Sequence, residues 1–251
     1  MNYLQNAIRY HSLWMEVSPE TLDLPGVHLV CSSERDHAQA GYSSRFDVYC
    51  LLRGDCAVIS YSERLEQRVK SVARSATHTG PNGLQAALAD EFGLTACSSS
   101  VKFSFIGLPE GIDTSGTRQL LPEEYTVFLD FFKACHPNAN IIGWLEDYFH
   151  TIAHKGMCWG VFKEGKLASV VDLSDIPYMQ DTIYELGINT RPDCRRQGYA
   201  HKIAGAAISH ALALGMTPIW STAADNLPSK RLAQSLGFVE FGEVYTISLC
   251  D

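Results

Sequence analysis

Residues 184–200 constrain the fold most, because they join a strand pattern, a glycine-containing turn and the start of an amphipathic helix. Helical spacing of apolar residues follows at Ala200, Ile203, Ala204, Ala207, Ile208, Ala211 and Leu212. A helix N-terminus carries free backbone N–H groups and a partial positive charge, which favour bound phosphate. Gly198 has no side chain to hold an anion away from those donors, and Arg195 and Arg196 add positive charge. The segment predicts a diphosphate-binding turn; the alternative is a helix start with two solvated arginines.

Two other phosphate-binding motifs do not fit this turn. It contains neither Gly-x-x-x-x-Gly-Lys-Ser/Thr nor Gly-x-Gly-x-x-Gly. Downstream, residues 217–222 have the composition of a strand. The motif Asn226-x-x-Ser229, a short helix and Leu236-Gly237-Phe238 come next. A final pair of strands is predicted at Val239–Phe241 and Tyr245–Leu249, with a turn at Gly242.

These motifs resemble those of one enzyme family. Arg195-x-x-Gly198-x-Ala200 is similar to the Arg/Gln-x-x-Gly-x-Gly/Ala loop of the GNAT superfamily of acyl-CoA-dependent N-acetyltransferases. The order of strand, Asn-x-x-Ser, helix and Leu-Gly-Phe also resembles that family. The resemblance implies an α+β fold, with a central mixed and mostly antiparallel sheet flanked by helices. It also implies acetyl-CoA as acyl donor and an amine of a small molecule or a peptide N-terminus as acceptor. The sequence that flanks the loop resembles that of the GNAT branch that includes zwittermicin-type resistance acetyltransferases.

The resemblance also implies a set of cofactor-binding residues. In GNAT folds two neighbouring strands splay, and the pantetheine arm lies in the gap between them. Backbone groups of Ile188 and Thr190 are the candidates for the acyl end, Asn226 for the pantetheine arm, and Ser229 for the phosphate side. Asn226 as a helix N-cap is the alternative. The loop candidates are Arg195, Arg196, Gln197, Gly198, Tyr199 and Ala200.

Glu185 is the first candidate for the general base that takes the amine proton. A carboxylate inside a largely buried strand is costly unless it is used or paired. A salt bridge or an exposed strand face is an equally open interpretation. Many GNAT enzymes place a glutamate one residue earlier, where this chain has Tyr184, so Tyr184 is the second catalytic candidate. Residues 184 and 185 should point to opposite faces of the sheet.

The general acid of the family is missing at its usual position. Many GNAT enzymes carry a tyrosine seven residues after the asparagine, where this chain has Ala233. Tyr199 or Tyr245 is a substitute candidate, or the thiolate leaves unassisted. The departure keeps open a second class of function, a non-catalytic acyl-CoA-binding or regulatory module.

The chain divides by pattern into residues 1–116 and residues 117–251. The second part follows the GNAT order of elements, with helices near 122–136 and 142–153 and a hairpin at 158–173. The helix at 142–153 carries Trp144, Glu146, Asp147, Tyr148 and Phe149. These side chains predict an acceptor groove for a small cationic amine. The alternative is that the aromatic residues pack in the core and the acidic residues are exposed to solvent. The first part predicts a smaller α+β domain of unknown role. Its predicted strands are 27–31, 47–52, 57–60 and 101–106, and its predicted helices are 63–73 and 83–92. Residues 79–83 predict a turn. Two roles are considered for it: it covers the acceptor pocket, or it forms a homodimer interface.

Composition narrows the class of protein further. The net charge of −8 argues against non-specific nucleic-acid binding. No apolar run reaches about 18 residues, so no membrane span is expected, and the start of the chain lacks a signal-peptide pattern. The eight cysteines are scattered without a Cys-x-x-Cys motif, which favours a cytoplasmic protein with reduced thiols. His150 and His154 have metal-ligand spacing but no third ligand, so no metal is expected.

Overall fold

The computed structural model describes residues 2–39, 45–79, 83–94, 98–173 and 176–249. Its helices are α1 Tyr3–Met15, α2 Glu66–Thr79, α3 Leu84–Glu91, α4 Tyr125–Cys135, α5 Leu145–His154, α6 Tyr199–Ala213 and α7 Leu227–Ser235. Its strands are β1 Gly26–Cys31, β2 Val48–Arg53, β3 Cys56–Tyr61, β4 Ser98–Phe105, β5 Thr117–Gln119, β6 Trp159–Lys163, β7 Lys166–Leu173, β8 Ile183–Thr190, β9 Thr217–Ala223 and β10 Phe238–Ile247. Among the described helices, none combines the length and apolar character needed to cross a membrane.

These ten strands form one mixed sheet in the order β1-β3-β2-β10-β4-β9-β8-β7-β6-β5. Only the pairs β1–β3 and β8–β9 are parallel within the described part of the chain. The other neighbours are antiparallel, and helices flank the sheet. The predicted mixed, mostly antiparallel sheet of an α+β fold is therefore confirmed.

Strand β4 lies in the middle of this sheet, although it comes from the first part of the chain. It pairs with β9 on one side and with β10 on the other, for example Phe103 with Trp220 and Phe105 with Phe238. These four aromatic side chains are buried in one core cluster. The division at residue 116 stays a prediction, but the two parts share one continuous sheet. The turn cluster predicted at 79–83 lies partly outside the described residues.

The predicted final pair of strands is wrong. Residues 238–247 form the single strand β10, with a register shift between Glu240 and Gly242 in its pairing with β4. A bulge absorbs one residue and lets a strand continue, so no turn is needed at Gly242. A Cβ atom at Gly242 would also overlap the carbonyl oxygen of Leu52 on β2. The glycine therefore serves close strand approach rather than a hairpin turn.

Helices cover the two faces of the sheet differently around β8. Helix α6 packs its Ile203 and Ala207 with Tyr184 and Leu186 in one core cluster. Helix α1, which no pattern in the sequence had indicated, packs on the opposite face, where its Ala7 and Ile8 share a cluster with Ile183 and Ile219. Helices α4 and α5 form a further cluster with β6 and β7. The side-chain alternation of β8 therefore directs Glu185 to the α1 face.

Candidate active site

Strands β8 and β9 part after three paired positions, and this parting creates the candidate site. They pair from Ile183 with Thr217 to Glu185 with Ile219. Beyond that point β8 continues along β7 to Thr190, and β9 continues along β4 to Ala223. A cavity of about 350 Å³ lies in the gap, lined by Glu185, Leu186, Gly187, Ile188, Trp220, Ser221, Thr222, Asn226 and Ser229. We call it the gap cavity.

The gap cavity has the features that bind an extended chain with amide groups. Where two strands separate, backbone N–H and C=O groups on their inner edges lose their strand partners. The two strands are parallel, so their carboxyl ends lie at the same edge of the sheet. The turn after β8 leads into α6, and the turn after β9 leads into α7. Both helix N-termini therefore flank the open end of the gap.

The turn before α6 has the open geometry that a bound anion needs. Arg196 and Gly198 have positive φ angles of 58° and 83°. A Cβ atom at Gly198 would meet nothing within 4 Å, and Gly198 provides no side-chain cap to the helix. Arg195 and Arg196 are exposed. Gln197 is held by the turn itself, because its Nε2 donates to the carbonyl of Asp193 at 2.9 Å.

Lys163 adds a third cation to this turn, and no sequence motif indicated that it lies there. Its Nζ donates to Oε1 of Gln197 at 3.0 Å. Lys163 lies in the β6–β7 hairpin, far from residue 197 along the chain, so only the fold shows their proximity. Cys194 in the same turn is buried, and burial raises the pKa of its thiol. It is therefore a poor candidate for a thiolate.

The remaining predicted residues near the turn have structural contacts. The hydroxyl of Thr190 lies 2.8 Å from the hydroxyl of Ser169, and its carbonyl accepts from Nε of Arg195 at 3.4 Å. Tyr199 and Ala200 form the first turn of α6, where Tyr199 packs against the core. Of the two predicted β8 contacts, Ile188 lines the gap cavity and Thr190 does not.

Asn226 and Ser229 lie at the wall of the gap cavity, on the side of α7. Oδ1 of Asn226 accepts from the backbone N–H of Ser229 at 3.2 Å, so Asn226 is the N-cap of α7. Oγ of Ser229 accepts from Nε1 of Trp220 at 3.1 Å. The cap uses only the oxygen of Asn226, so its Nδ2 donor stays available to a ligand in the gap.

Glu185 is half-buried in the wall of the gap cavity. Burial raises the pKa of its carboxyl group, and the positive charge of Lys102 opposes that shift. Lys102 belongs to β4, and its Nζ donates to Oγ of Ser221 at 2.8 Å. The sequence did not indicate Lys102, because no motif links β4 to the sites on β8 and β9.

Tyr184 does not line the gap cavity. It is fully buried against α6, and its hydroxyl donates to the carbonyl of Met157 at 3.5 Å. Burial raises the pKa of its phenol. The expected opposite directions of residues 184 and 185 agree with their separate surroundings. Of the two catalytic candidates, only Glu185 lines the gap cavity.

Neither tyrosine named as a substitute acid lines the gap cavity. Tyr245 is buried with β2, β3, α2 and α3 on the far side of β10. Tyr199 lies in the first turn of α6. Ala233, at the position of the family's tyrosine, is buried in the core. The hydroxyl groups that do line the gap cavity are those of Ser221, Thr222 and Ser229.

A larger cavity of about 590 Å³ lies beside the start of β8, between α5 and the end of α6. We call it the lower cavity. Its lining is Tyr148, Thr151, Ile152, Lys155, Met157, Ile176, Gln180, Asp181, Ile183, Leu214 and Met216. Of the side chains expected at an acceptor groove on α5, Tyr148 lines it. Phe149 is core, and Trp144, Glu146 and Asp147 are exposed.

One family model matches part of the chain in sequence, and a solved structure resembles the chain in fold. The model of the acetyltransferase (GNAT) family matches residues 120–238. An acetyltransferase of the GNAT family from Colwellia psychrerythraea has a TM-score of 0.54 at 18% identity, over 83% of this chain and 82% of that one. A comparison with curated protein sequences finds no significant match.

Two further solved structures align with about half of the chain. AAC(6')-Iy in complex with a bisubstrate analogue, CoA-S-monomethyl-acetylneamine, has a TM-score of 0.43 at 21% identity, over 50% of this chain and 90% of that one. A GNAT-family acetyltransferase from Streptococcus pneumoniae has a TM-score of 0.43 at 17% identity, over 53% of this chain and 96% of that one.

The Colwellia match extends into the first part of the chain, because residues 117–251 alone are too short to supply 83% of it. The shared fold therefore includes elements before β5. The GNAT acetyltransferase family model thus matches residues 120–238, and the Colwellia structure shares the fold beyond that range.

Proposed function

We propose that this chain is an N-acetyltransferase that moves an acetyl group from acetyl-CoA to an amine of a small molecule or a peptide N-terminus. The parting of β8 and β9 is the observation that carries the proposal. It leaves a cavity between two parallel strands, with Glu185 in its wall and two helix N-termini at its open end. The alternative roles of these features, a helix start and a helix cap, do not explain why the strands separate.

The donor fits the residues present. The diphosphate would lie at the start of α6, where Gly198 leaves open space and Arg195 and Arg196 are exposed. The pantetheine arm would lie in the gap cavity, against the inner edge of β8 and the Nδ2 group of Asn226. Its amides would then take the place of a strand partner. The thioester would reach Glu185 at the closed end of the gap.

The reaction needs a neutral amine beside the thioester. The amine nitrogen bonds to the acyl carbon, the carbon–sulfur bond breaks, and the electron pair leaves with the sulfur. Glu185 takes the proton that the amine loses, directly or through a water molecule. Its raised pKa brings the carboxylate nearer to the basicity that this step requires. The thiolate leaves without a tyrosine acid, since Ala233 stands at the family's position.

Replacement of Glu185 by Gln tests the role of the base. We expect turnover, measured by thiol release, to fall by about 10²–10⁴, with little change in acetyl-CoA affinity. The loss should shrink as pH rises, because more of the amine is then already neutral. Glu240→Gln is the matched control, since Glu240 is an exposed carboxylate on β10 and should leave turnover unchanged. Wild-type turnover by Glu185→Gln near neutral pH would exclude Glu185 as the base.

Substitution of Gly198 by Ala tests the donor site. Gly198 and Gly165 have similar φ angles, 83° and 79°, and a Cβ atom at either would meet nothing within 4 Å. The two alanine variants should therefore lose similar stability. Only Gly198→Ala should weaken acetyl-CoA binding, at least tenfold by calorimetry, because its methyl group enters the space for the diphosphate. Equal affinities of the two variants would contradict the proposed donor site.

A non-catalytic acyl-CoA-binding or regulatory module is the second candidate. Two observations favour it: Ala233 replaces the family's tyrosine, and no tyrosine lines the gap cavity among the described residues. This candidate predicts acetyl-CoA binding without thiol release for any amine in a broad panel. Membership of the zwittermicin-type branch stays a prediction.

A further inference from the structure

Asp172 is a carboxylate that the proposed mechanism does not use. It lies on β7 and is half-buried. Burial raises its pKa to about 6, although a hydrogen bond from Tyr148 opposes that rise. Among the described residues, no lysine or arginine forms an ion pair with it. A carboxylate that is shielded from water and lacks a cation is costly, so its presence points to a ligand that supplies the charge.

Strand register places Asp172 beside the base. Asp172 pairs with Gly187 across the β7–β8 ladder, without a register shift. Gly187 lies two residues beyond Glu185, so the two carboxylates share one face and are diagonal neighbours. Such neighbours are about 7–8 Å apart. Gly187 and Glu185 both line the gap cavity.

Tyr148 connects this pair of carboxylates with the lower cavity. It projects from α5, lines the lower cavity and donates its hydroxyl to Asp172. Ile183, at the start of β8, also lines the lower cavity and lies on the same face as Glu185. Asp172 itself lines neither cavity, but its hydroxyl partner Tyr148 lines the lower cavity and its ladder partner Gly187 lines the gap cavity.

We propose that the lower cavity is the acceptor site and that Asp172, oriented by Tyr148, binds the ammonium group of a primary amine with an apolar body. This inference rests on the proposed acetyltransferase function and names its substrate class. An amine bound to Asp172 lies next to Glu185, because the two carboxylates are diagonal neighbours on adjacent strands. The thioester would end on the same side. Loss of one proton to Glu185 then leaves a neutral nitrogen for acyl transfer.

The lining of the lower cavity fits this class of acceptor. Ile152, Met157, Ile176, Leu214 and Met216 supply an apolar wall, and the volume of about 590 Å³ is that of a small-molecule site. Two exposed rim residues of opposite charge, Lys155 and Asp181, leave the mouth nearly neutral. The net charge of −8 further favours the approach of a cation.

The groups around Asp172 leave its charge uncompensated near neutral pH. Tyr148 comes from α5, Cys158 precedes β6, and Tyr184 and Glu185 belong to β8. Burial raises the pKa of Tyr148, Cys158 and Tyr184, so these three are neutral near pH 7. A ligand ammonium is then the cation that faces Asp172.

Binding of a matched pair of probes tests the inference directly. We would titrate 4-phenylbutylamine and 4-phenylbutan-1-ol, which share shape but not charge, into the full chain at pH 8 in calorimetry. Wild type should bind the amine at least tenfold more tightly than the alcohol. Asp172→Asn should remove that preference, and Tyr148→Phe should reduce it. Asp147→Asn, an exposed carboxylate on α5 that lines neither cavity, is the control and should keep it.

Kinetics separate this inference from the proposed function. In thiol-release assays Asp172→Asn should raise KM for the amine at least tenfold, and Asp147→Asn should not. An unchanged amine preference or an unchanged KM in Asp172→Asn would overturn the role of Asp172, even if the enzyme acetylates amines. Binding of the amine at Asp172 without turnover of any amine would overturn the acetyltransferase function and, with it, the assignment of the lower cavity to an acceptor. Asp172 would then be a ligand-binding residue of the module.

Discussion

Gly237 should be the most costly glycine to replace in the family-like part of the chain. It lies between α7 and β10 with a φ angle of 84°. A Cβ atom there would overlap the carbonyl oxygen of Gly107 and come within 2.8 Å of its carbon. Gly107 follows β4, and the N–H of Ile106 donates to the carbonyl of Gly237 at 2.9 Å. The glycine is thus where the chain leaving β4 touches the start of β10.

The expected loss for Gly237→Ala has three parts. The left-handed backbone costs a residue with a side chain about 1–2 kcal/mol. The overlap with the Gly107 backbone forces a shift, which costs about 1–3 kcal/mol. Displacement of Ile106 weakens a hydrogen bond worth about 1 kcal/mol. We therefore expect the free energy of unfolding to fall by about 3–6 kcal/mol.

Urea denaturation, followed by tryptophan fluorescence, measures this loss. Gly165→Ala is the control, because Gly165 has a φ angle of 79° and a Cβ atom there would meet nothing within 4 Å. It should lose only the backbone cost, about 1–2 kcal/mol. Equal losses in the two variants would show that the approach of Gly107 to Gly237 does not contribute, and would refute the reasoning.

Two further predictions concern charge and pH. Lys102→Met should raise the pKa of Glu185, because the opposing positive charge is removed. The acidic limb of the kcat/KM profile should therefore move to higher pH, whereas Lys102→Arg should keep the wild-type profile. An unmoved limb in Lys102→Met would contradict the coupling between Lys102 and Glu185. For Asp172, the folded pKa of about 6 exceeds the ordinary 3.8, so the native state binds the proton more tightly and stability falls as pH rises from about 4 to 6. Asp172 should contribute about 2–3 kcal/mol of this fall, so the fall should be smaller by that amount in Asp172→Asn when unfolding free energies are compared across this range.

The elements around the gap were predictable because their signals are local. Strand β8 contains the strand pattern that begins at residue 184, and α6 follows the predicted periodicity. The glycine turn, the N-cap of α7 and the opposite directions of residues 184 and 185 all depend on neighbours within a few positions. Such features are fixed by backbone geometry before distant contacts form.

The features that the sequence did not reveal depend on distant pairing. No local pattern shows that β4 lies between β9 and β10, so Lys102 could not be placed beside the gap. The sequence shows Asp172 only as an acidic residue in a strand, because its pairing with Gly187 depends on the register of β7 and β8. The final strands were predicted as two because the bulge between Glu240 and Gly242 looks like a turn in sequence.

The position of β4 sets the order in which the chain is able to fold during synthesis. On the ribosome, β2, β3 and β4 emerge long before β9 and β10, yet β4 pairs only with those two late strands. Strand β2 likewise waits for β10 on one of its edges. Pairing between such distant segments is slow and leaves strand edges unpaired in the meantime. Nascent chains stalled before residue 238 should therefore depend on chaperones.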